Sequence, residues 1–220
     1  MYTTDTIKTS GEDLKITFLK HGTLMFTFGS MVLHVDPVSD MADYSTLPKA
    51  NIILVTHEHH DHLDLKAIEM LRKEGTVIIA SESCELGDCI VMKNNEVNTV
   101  QGLTIEAVPA YNIAHMRSPG NPFHPKGVGN GYVITFNDTK VYVAADTENI
   151  PEMKELSGID VAFLPMNLPY TMTPEMAADA ARMFNPKILY PYHFGETDTS
   201  ELVDLLKDDK EIEVRIRDLQ

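Results

Sequence analysis

One short segment, residues 57–62, concentrates side chains that bind metals. It reads His-Glu-His-His-Asp-His and follows an apolar run. In an extended backbone, residues two apart point to the same side, so His57 and His59 can bind one cation together. Asp61 and His62 come about one turn later and can bind a second cation close by. A histidine-rich polar loop without a metal is the alternative, but the density of imidazoles and carboxylates favours a metal site.

A site for two cations needs further ligands, and two candidates stand at the ends of predicted strands. Asp146 follows the apolar residues 141–145, and a carboxylate there can bridge two cations because each of its oxygens can bind one. The structural alternative for Asp146 is the cap of a turn. His193 follows residues 188–192 in the same way. A histidine at a strand end is more often a surface residue, but the first motif favours a ligand here.

The remaining ligand is expected from the long segment at residues 112–130, which is rich in Gly and Pro. Loops of this length are usually functional. The segment offers His115 and His124, and His124 is the predicted ligand because Phe123 and Pro125 on either side restrict its backbone. His115 lacks such neighbours and is expected to line the pocket instead.

Other polar residues are expected to support the site. Glu58 and His60 should point away from the cations, because their neighbours point inward. Asp36 ends a strand and either orients a ligand histidine or caps the strand, and both interpretations stay open. His21 and His34 lie in or beside early strands and could donate hydrogen bonds to the ligands.

The elements that position these side chains follow from the hydrophobic pattern. Strands are predicted at residues 14–19, 24–28, 31–35, 52–55, 76–80, 97–100, 103–108, 132–136, 140–144, 160–164, 187–190 and 213–216. Helices are predicted at residues 64–74 and 200–207, and a further helix has Met176, Ala177, Ala180 and Met183 or Phe184 on one face. This further helix is expected to start at Thr173 as its cap, with Pro174 in the first turn. This layout favours an α/β (α+β) fold of two packed sheets covered by helices. Residues 1–220 are expected to form one domain.

Composition limits the classes of function. The formal net charge is −15 and the basic residues are scattered, so nucleic acid is not an expected partner. No apolar run reaches the roughly 18 residues of a membrane span. The first residues show no secretion signal, so a cytoplasmic protein is expected, with a periplasmic location open if a signal was removed. Cys84 and Cys89 do not have a zinc-binding spacing and are expected to be free thiols.

Together these motifs resemble the metallo-β-lactamase superfamily. The shared features are H-x-H-x-D-H after a strand, a histidine in the middle of the chain, an Asp-Thr pair at residue 146 and a late histidine. The resemblance extends over residues 14–216 and implies a four-layer αββα sandwich with the metals at one edge of the sheets. Residues 190–193 and 108–112 look most similar to the ascorbate-6-phosphate lactonase-like and N-acyl-phosphatidylethanolamine phospholipase D-like branch. One difference is Asn112, where related sequences often have their third histidine.

The resemblance also implies how the ligands divide between two divalent cations. One cation would take His57, His59 and His124, the other would take Asp61, His62 and His193, and Asp146 would bridge them. Zinc is the expected metal, and manganese or iron would also suit these ligands.

Such a site implies metal-assisted hydrolysis. Two cations share a water whose pKa falls towards about 7, and the resulting hydroxide attacks a carbonyl carbon or a phosphorus. Asp61 is the predicted catalytic residue, because it would hold the nucleophile and carry its proton to the leaving group. The expected substrate is a small-molecule lactone, ester or phosphodiester, and Lys126 or Arg117 would bind an anionic group on it. The other expected substrate contacts are His115, Tyr170 and Tyr192.

Two other classes of function stay open. A redox protein of the flavodiiron type would hold two irons on the same scaffold, and Glu58 is compatible with it, although 220 residues leave no room for a flavin domain. A non-catalytic member with a degenerate site is the other class, and the full ligand set argues against it. Tyr, Met and Pro residues on predicted surface loops are compatible with a homo-oligomer.

Overall fold

Two seven-stranded β-sheets dominate the computed structural model, which describes residues 2–219. The first sheet follows chain order and contains β1 (Thr3–Ile7), β2 (Leu14–Lys20), β3 (Thr23–Phe28), β4 (Met31–Val35), β5 (Ile52–Val55), β6 (Val77–Ala80) and β7 (Ile90–Val91). The later strands are β8 (Val97–Val100), β9 (Leu103–Ala110), β10 (Met116–Ser118), β11 (Asn121–Pro122), β12 (Gly129–Phe136), β13 (Thr139–Val143), β14 (Val161–Pro165), β15 (Ile188–Tyr192) and β16 (Glu213–Val214). The second sheet has the order β16-β15-β14-β13-β12-β9-β8, while β10 and β11 pair as a separate hairpin.

Three α-helices are found within residues 2–219: α1 (Leu65–Leu71), α2 (Pro174–Phe184) and α3 (Ser200–Leu206). The longest has 11 residues, whereas a bilayer span needs about 20. None of these helices can therefore cross a membrane.

Alternating residues of β5 reveal the order of the layers. Ile52 and Leu54 lie in the core between the sheets, whereas Ile53 and Val55 belong to a second apolar cluster that includes the buried face of α1. This alternation is the ordinary period of a strand that is covered on both faces. On the second sheet, the Tyr142 ring of β13 contacts a phenylalanine of α2, with 5.6 Å between centroids. The arrangement is the αββα sandwich that the sequence predicted.

Local sequence explains where the helices begin. The side chain of Asp64 caps α1 by accepting hydrogen bonds from the amides of Lys66 and Ala67. Thr173 caps α2, and Pro174 occupies its first turn, as predicted. The prediction of a helix over residues 64–74 was too long, because α1 ends at Leu71.

Parallel strands bring the chemically active loops to one edge. Strands β4, β5 and β6 are parallel neighbours, as are β13, β14 and β15. Loops at the carboxyl ends of such strands share an edge of the sheet. Asp36 follows β4, His57 follows β5, Asp146 follows β13 and His193 follows β15. The turn after β2 lies at the same edge, because β2 and β4 are both antiparallel to β3.

The segment at residues 112–130, expected to be a loop, is partly ordered into strands. Its centre forms the β10–β11 hairpin, and β12 begins at Gly129. This hairpin lies directly before His124 and therefore fixes the approach of that residue to the edge described above.

Candidate metal centre

Four side chains at the edge form a first group of potential ligands. The Nε2 atom of His57 lies 3.1 Å from Nδ1 of His59. Nε2 of His124 lies 3.1 Å from Oδ2 of Asp146. One ligand atom from each of these residues falls within 4.8 Å of the others. The group combines three imidazoles and a carboxylate, a donor set that suits zinc and related cations.

A second group lies on the other side of Asp146. The Nε2 atoms of His62 and His193 are 3.1 Å apart, and each is 3.4 Å from Oδ1 of Asp146. Oδ2 of Asp61 is 3.5 Å from Nε2 of His193. The two oxygens of Asp146 therefore face different groups, the arrangement expected of a bridging ligand.

Two observations indicate that cations fit these positions. Neighbouring ligands of a tetrahedral cation at about 2.05 Å lie about 3.3 Å apart, close to the spacing of the imidazole nitrogens found here. In addition, Oδ1 of Asp146 is buried without a hydrogen-bond partner within residues 2–219. A buried carboxylate oxygen is costly without a hydrogen bond, and a cation bound beside His62 and His193 would offset this cost.

Asp36 orients two of the histidines. Its Oδ2 accepts a hydrogen bond from Nδ1 of His62 at 2.7 Å and another from the hydroxyl of Thr56 at 2.7 Å. Because that hydroxyl donates to Asp36, its oxygen accepts from Nδ1 of His57 at 3.0 Å. Both imidazoles thus carry their proton on Nδ1 and leave Nε2 to the groups. Asp36 also accepts from the amide of Thr56 at 2.8 Å, so it orients histidines and fixes the backbone as well.

Asn112 plays the same part for His124. Its side-chain oxygen accepts from both the amide and Nδ1 of His124, at 2.8 and 2.7 Å. Its amide group donates to Glu148 and to the carbonyl of Tyr170. These bonds fix the orientation of the amide, and Nε2 of His124 consequently points at Asp146. Asn112, which stands where related sequences often have their third histidine, therefore orients the histidine that takes that role in this chain, His124.

Glu148 shapes the loop that carries Asn112. Its carboxylate is fully buried and accepts hydrogen bonds from the amides of Ile113, Ala114 and His115, each at 2.7 Å. Nδ1 of His115 also lies 2.9 Å from this carboxylate. His115 is therefore directed towards Glu148, outside both ligand groups, and the structure places His124 where the third histidine was expected.

His21 is a member of the site that the sequence did not single out as a ligand. Its Nε2 lies 3.4 Å from Oδ2 of Asp61, and its ring is 3.7 Å from that of His193 between centroids. Together these three side chains form a third cluster that could hold a cation. The next residue is Gly22, where a Cβ atom would lie 3.1 Å from His62 and 3.2 Å from His193. His34, in contrast, bonds to the carbonyl of Pro48 at 3.2 Å.

Burial and charge set the protonation of the site. Burial lowers the pKa of His57 well below its usual value, and neighbouring histidines add to the effect. Burial raises the pKa of Asp146, but His193 and His62 outweigh it and hold that pKa well below the usual range. Burial lowers the pKa of His62, but Asp146 and Asp36 outweigh it and raise that pKa.

A cleft of about 430 Å³ opens over both groups. Its lining includes Asp61, Arg117 and Tyr170, with Asp146 and several of the histidines. Three predicted substrate contacts, His115, Lys126 and Tyr192, are not in this lining. Lys126 pairs with Glu152 at 2.6 Å. Tyr192 is fully buried, and its hydroxyl accepts a hydrogen bond from the amide of Ala145, so it supports the backbone beside Asp146 rather than facing a substrate.

The remaining predictions around the first motif concern exposed side chains. The side chain of His60 is 99% exposed, and Glu58 is exposed as well. Both are outside the ligand groups, as predicted, although Glu58 borders a small cavity beside His57 and His59, and His60 lines part of the cleft. Cys84 and Cys89 are free thiols, as predicted.

Residues 15–193 match the family model of the beta-lactamase superfamily domain. The chain belongs to this superfamily. A metal-dependent hydrolase of the UPF0173 family from Thermococcus kodakarensis is 33% identical over 199 residues, which are 83% of this chain and 85% of the relative. The protein is therefore a UPF0173 metal-dependent hydrolase within the beta-lactamase superfamily, and the superfamily predicted from the motifs is confirmed.

Solved structures of similar proteins agree with this assignment. A protein from Parabacteroides distasonis, assigned as a metal-dependent hydrolase, has a TM-score of 0.95 and 55% identity over 100% of both chains. The metallo hydrolase Igni18 from Ignicoccus hospitalis has a TM-score of 0.77 at 24% identity, covering 94% of this UPF0173 protein and 95% of its own chain. The second likeness bears on the fold alone.

Proposed function

We propose that this UPF0173 protein is a dinuclear hydrolase of a small-molecule lactone, ester or phosphodiester. The proposal rests on Asp146, because one of its carboxylate oxygens faces the first group of ligands and the other faces the second. One group would hold a cation through His57, His59 and His124, and the other through Asp61, His62 and His193. When bound, two divalent cations supply an activated water and a Lewis acid for the developing negative charge.

Asp61 is the proposed catalytic residue. It lines the cleft, and its side chain is 27% exposed, unlike the buried Asp146. Burial raises the pKa of Asp61, but hydrogen bonds with His193 and His21 outweigh burial and hold that pKa below the usual range. The carboxylate is therefore ionised and can accept the proton released as water attacks. It can then deliver this proton to the leaving group.

The proposed substrate class includes both carbonyl and phosphorus esters, because the same site can support attack on either. Attack by water on a carbonyl carbon or on a phosphorus requires the same stabilisation of negative charge. The resemblance of residues 190–193 and 108–112 to the lactonase-like branch supports a lactone within this set. Zinc is the proposed metal, because three of the four ligands in the first group are imidazoles.

Metal analysis coupled to an activity panel tests the proposal. We expect two equivalents of divalent metal per chain, and hydrolysis of at least one lactone, ester or phosphodiester that EDTA abolishes and zinc restores. The double variant His57→Ala, His59→Ala should lose at least one equivalent and all turnover. The matched variant His60→Ala alters an exposed histidine between the same ligands and should keep both equivalents. One equivalent per wild-type chain, or turnover by the double variant, would contradict the proposal.

A further inference from the structure

The cleft over the ligand groups is lined by one positively charged side chain, Arg117, that has no part in the proposed hydrolytic chemistry. We propose that the substrate carries a second oxyanion, a carboxylate or a phosphate away from the bond that is cleaved, and that Arg117 binds it. This inference rests on the proposed hydrolase function and narrows its substrate class. Arg117 lines the cleft together with Asp61, Tyr170 and Asp146, so a single small molecule can contact both the arginine and the ligand groups.

Arg117 differs from the other arginines in its partners. The chain has five arginines and a net charge of −15. Four of them are paired with a carboxylate: Arg72 with Asp88 at 2.6 Å, Arg182 with Asp209 at 3.0 Å, Arg215 with Glu213 at 2.8 Å and Arg217 with Asp5 at 2.7 Å. Arg117 forms no ion pair within residues 2–219. Arg117, which lies beside the ligand groups, therefore lacks the carboxylate partner that the other four arginines have, although the chain is rich in carboxylates.

A cation–π contact places the guanidinium of Arg117 over the ring of Phe123, and none of its N–H groups is used in an ion pair within residues 2–219. The guanidinium carbon lies 5.4 Å from the ring centroid of Phe123. That ring in turn contacts Tyr170 edge to face, with 5.0 Å between centroids. The contact is made by the charge of the guanidinium with the ring, whereas its N–H donors lie in the plane of the guanidinium and can bind an anion. A planar fork of donors can then bind a carboxylate or a phosphate through two parallel hydrogen bonds.

The backbone also ties Arg117 to the ligand groups. The residue lies in β10, which pairs with β11 in the register Met116↔Pro122 and Ser118↔Asn121. The chain leaves β11 through Phe123 and reaches His124 at the next position. The position of the arginine is thus set by the same hairpin that delivers His124. The other basic side chain predicted to bind an anion, Lys126, is already paired with Glu152.

A matched series of esters tests the inference with zinc-loaded enzyme. The substrates are para-nitrophenyl hexanoate, the para-nitrophenyl monoester of adipate, and a para-nitrophenyl hexanoate with a terminal phosphate. They share the scissile bond and chain length and differ in the distal group. Arg117→Gln should lower kcat/KM for an anionic ester about ten- to a hundredfold more than for the hexanoate, mainly through KM. The control Arg72→Gln removes a surface arginine with the same charge change and should leave the selectivity at its wild-type value.

Binding of the free acids separates the two proposals. Adipate and hexanoate are titrated calorimetrically into zinc-loaded wild type and Arg117→Gln, which requires no turnover. If the wild type binds adipate more tightly than hexanoate and Arg117→Gln removes this preference, the anion site is supported even when no ester is hydrolysed. The absence of ester hydrolysis would then count only against the proposed hydrolase function. Equal effects of Arg117→Gln on all three esters, or no preference of the wild type for adipate, would overturn the inference. The ester with the larger loss identifies the distal group as carboxylate or phosphate.

Discussion

Each ligand histidine needs one nitrogen for a cation and something that fixes its ring. Thr56 holds His57, Asp36 holds His62 and Asn112 holds His124, in each case through Nδ1. His193 differs, because its Nδ1 is buried without a hydrogen-bond partner within residues 2–219. Its ring instead packs against His21. The stacking partner of His193 is therefore also the hydrogen-bond partner of Asp61.

His21→Ala is expected to weaken the second cation and spare the first. The change removes both the ring that packs on His193 and the nitrogen 3.4 Å from Asp61, so two ligands of one group lose their support. Loss of such supporting contacts typically lowers metal affinity about ten- to a hundredfold. Competition with a chromophoric chelator would measure the two affinities separately.

Two variants make the test of His21 specific. His21→Gln keeps an N–H donor near Asp61 and should recover part of the affinity, whereas His60→Ala removes an exposed ring and should match wild type. Equal weakening of both cations in His21→Ala would indicate a general structural defect and contradict the assignment.

The sequence allowed the candidate ligands to be predicted more completely than the residues that orient them. Each of the seven predicted ligands belongs to one of the three clusters that could hold a cation, because strand ends and alternation place them without knowledge of the rest of the fold. Their binding of metal stays a prediction. Asn112 and Glu148 could not be found in this way, since each acts on residues that only the tertiary fold brings near. The pairing of Lys126 with Glu152, 26 positions away, could not be found for the same reason, and the role of Lys126 in binding substrate stays a prediction.

At the scale of elements, hydrophobic patterns located strands that face a core and missed those that do not. Strand β1 contains three threonines and an aspartate, and none of its residues is buried. Strands β10 and β11 have three and two residues, too few for a period to be visible. The edge strand β1 is held instead by polar contacts, in which Asp5 binds Arg217 at 2.7 Å and also accepts from Tyr190.

Asp5→Asn is expected to destabilise the attachment of β1 to the C-terminal segment. Burial raises the pKa of Asp5, but hydrogen bonds from Arg217 and Tyr190 outweigh it and lower that pKa. A lowered folded-state pKa means that the carboxylate stabilises the fold above the unfolded value near 4. This contribution is lost as the pH falls through the folded-state pKa. We expect a loss of about 1–2 kcal/mol at pH 7, measured by urea unfolding in EDTA.

Acidification and a surface control check the origin of this effect. The difference between wild type and Asp5→Asn should shrink as the pH falls below about 4 and vanish once the pH is below the lowered folded-state pKa, where the wild-type carboxyl is protonated as well. Asp13→Asn breaks an exposed pair with Lys8 and should leave the unfolding free energy unchanged within error. A difference that persists undiminished at low pH would assign the effect to packing rather than charge.

At the scale of the whole molecule, the ligands come from both sheets. Residues 57–62 follow β5 of the first sheet, whereas Asp146 and His193 follow β13 and β15 of the second, and His124 lies between the β10–β11 hairpin and β12. A cation in either group therefore joins the two halves of the sandwich. The cation also offsets part of the net charge of −15, and this reduces the repulsion among the acidic side chains of the folded protein.

Removal of metal should consequently lower the melting temperature of the whole protein. A cation at about 100 times its Kd stabilises the folded state by about 2.7 kcal/mol, or roughly 5–10 °C in a domain of this size. Calorimetry of EDTA-stripped protein titrated with zinc would measure the shift as one cooperative transition, since both sheets are held by the same cations. His57→Ala should lose most of the zinc-dependent shift while His60→Ala retains it. A transition that splits on zinc removal, or that zinc does not move, would mean that the cations do not join the sheets.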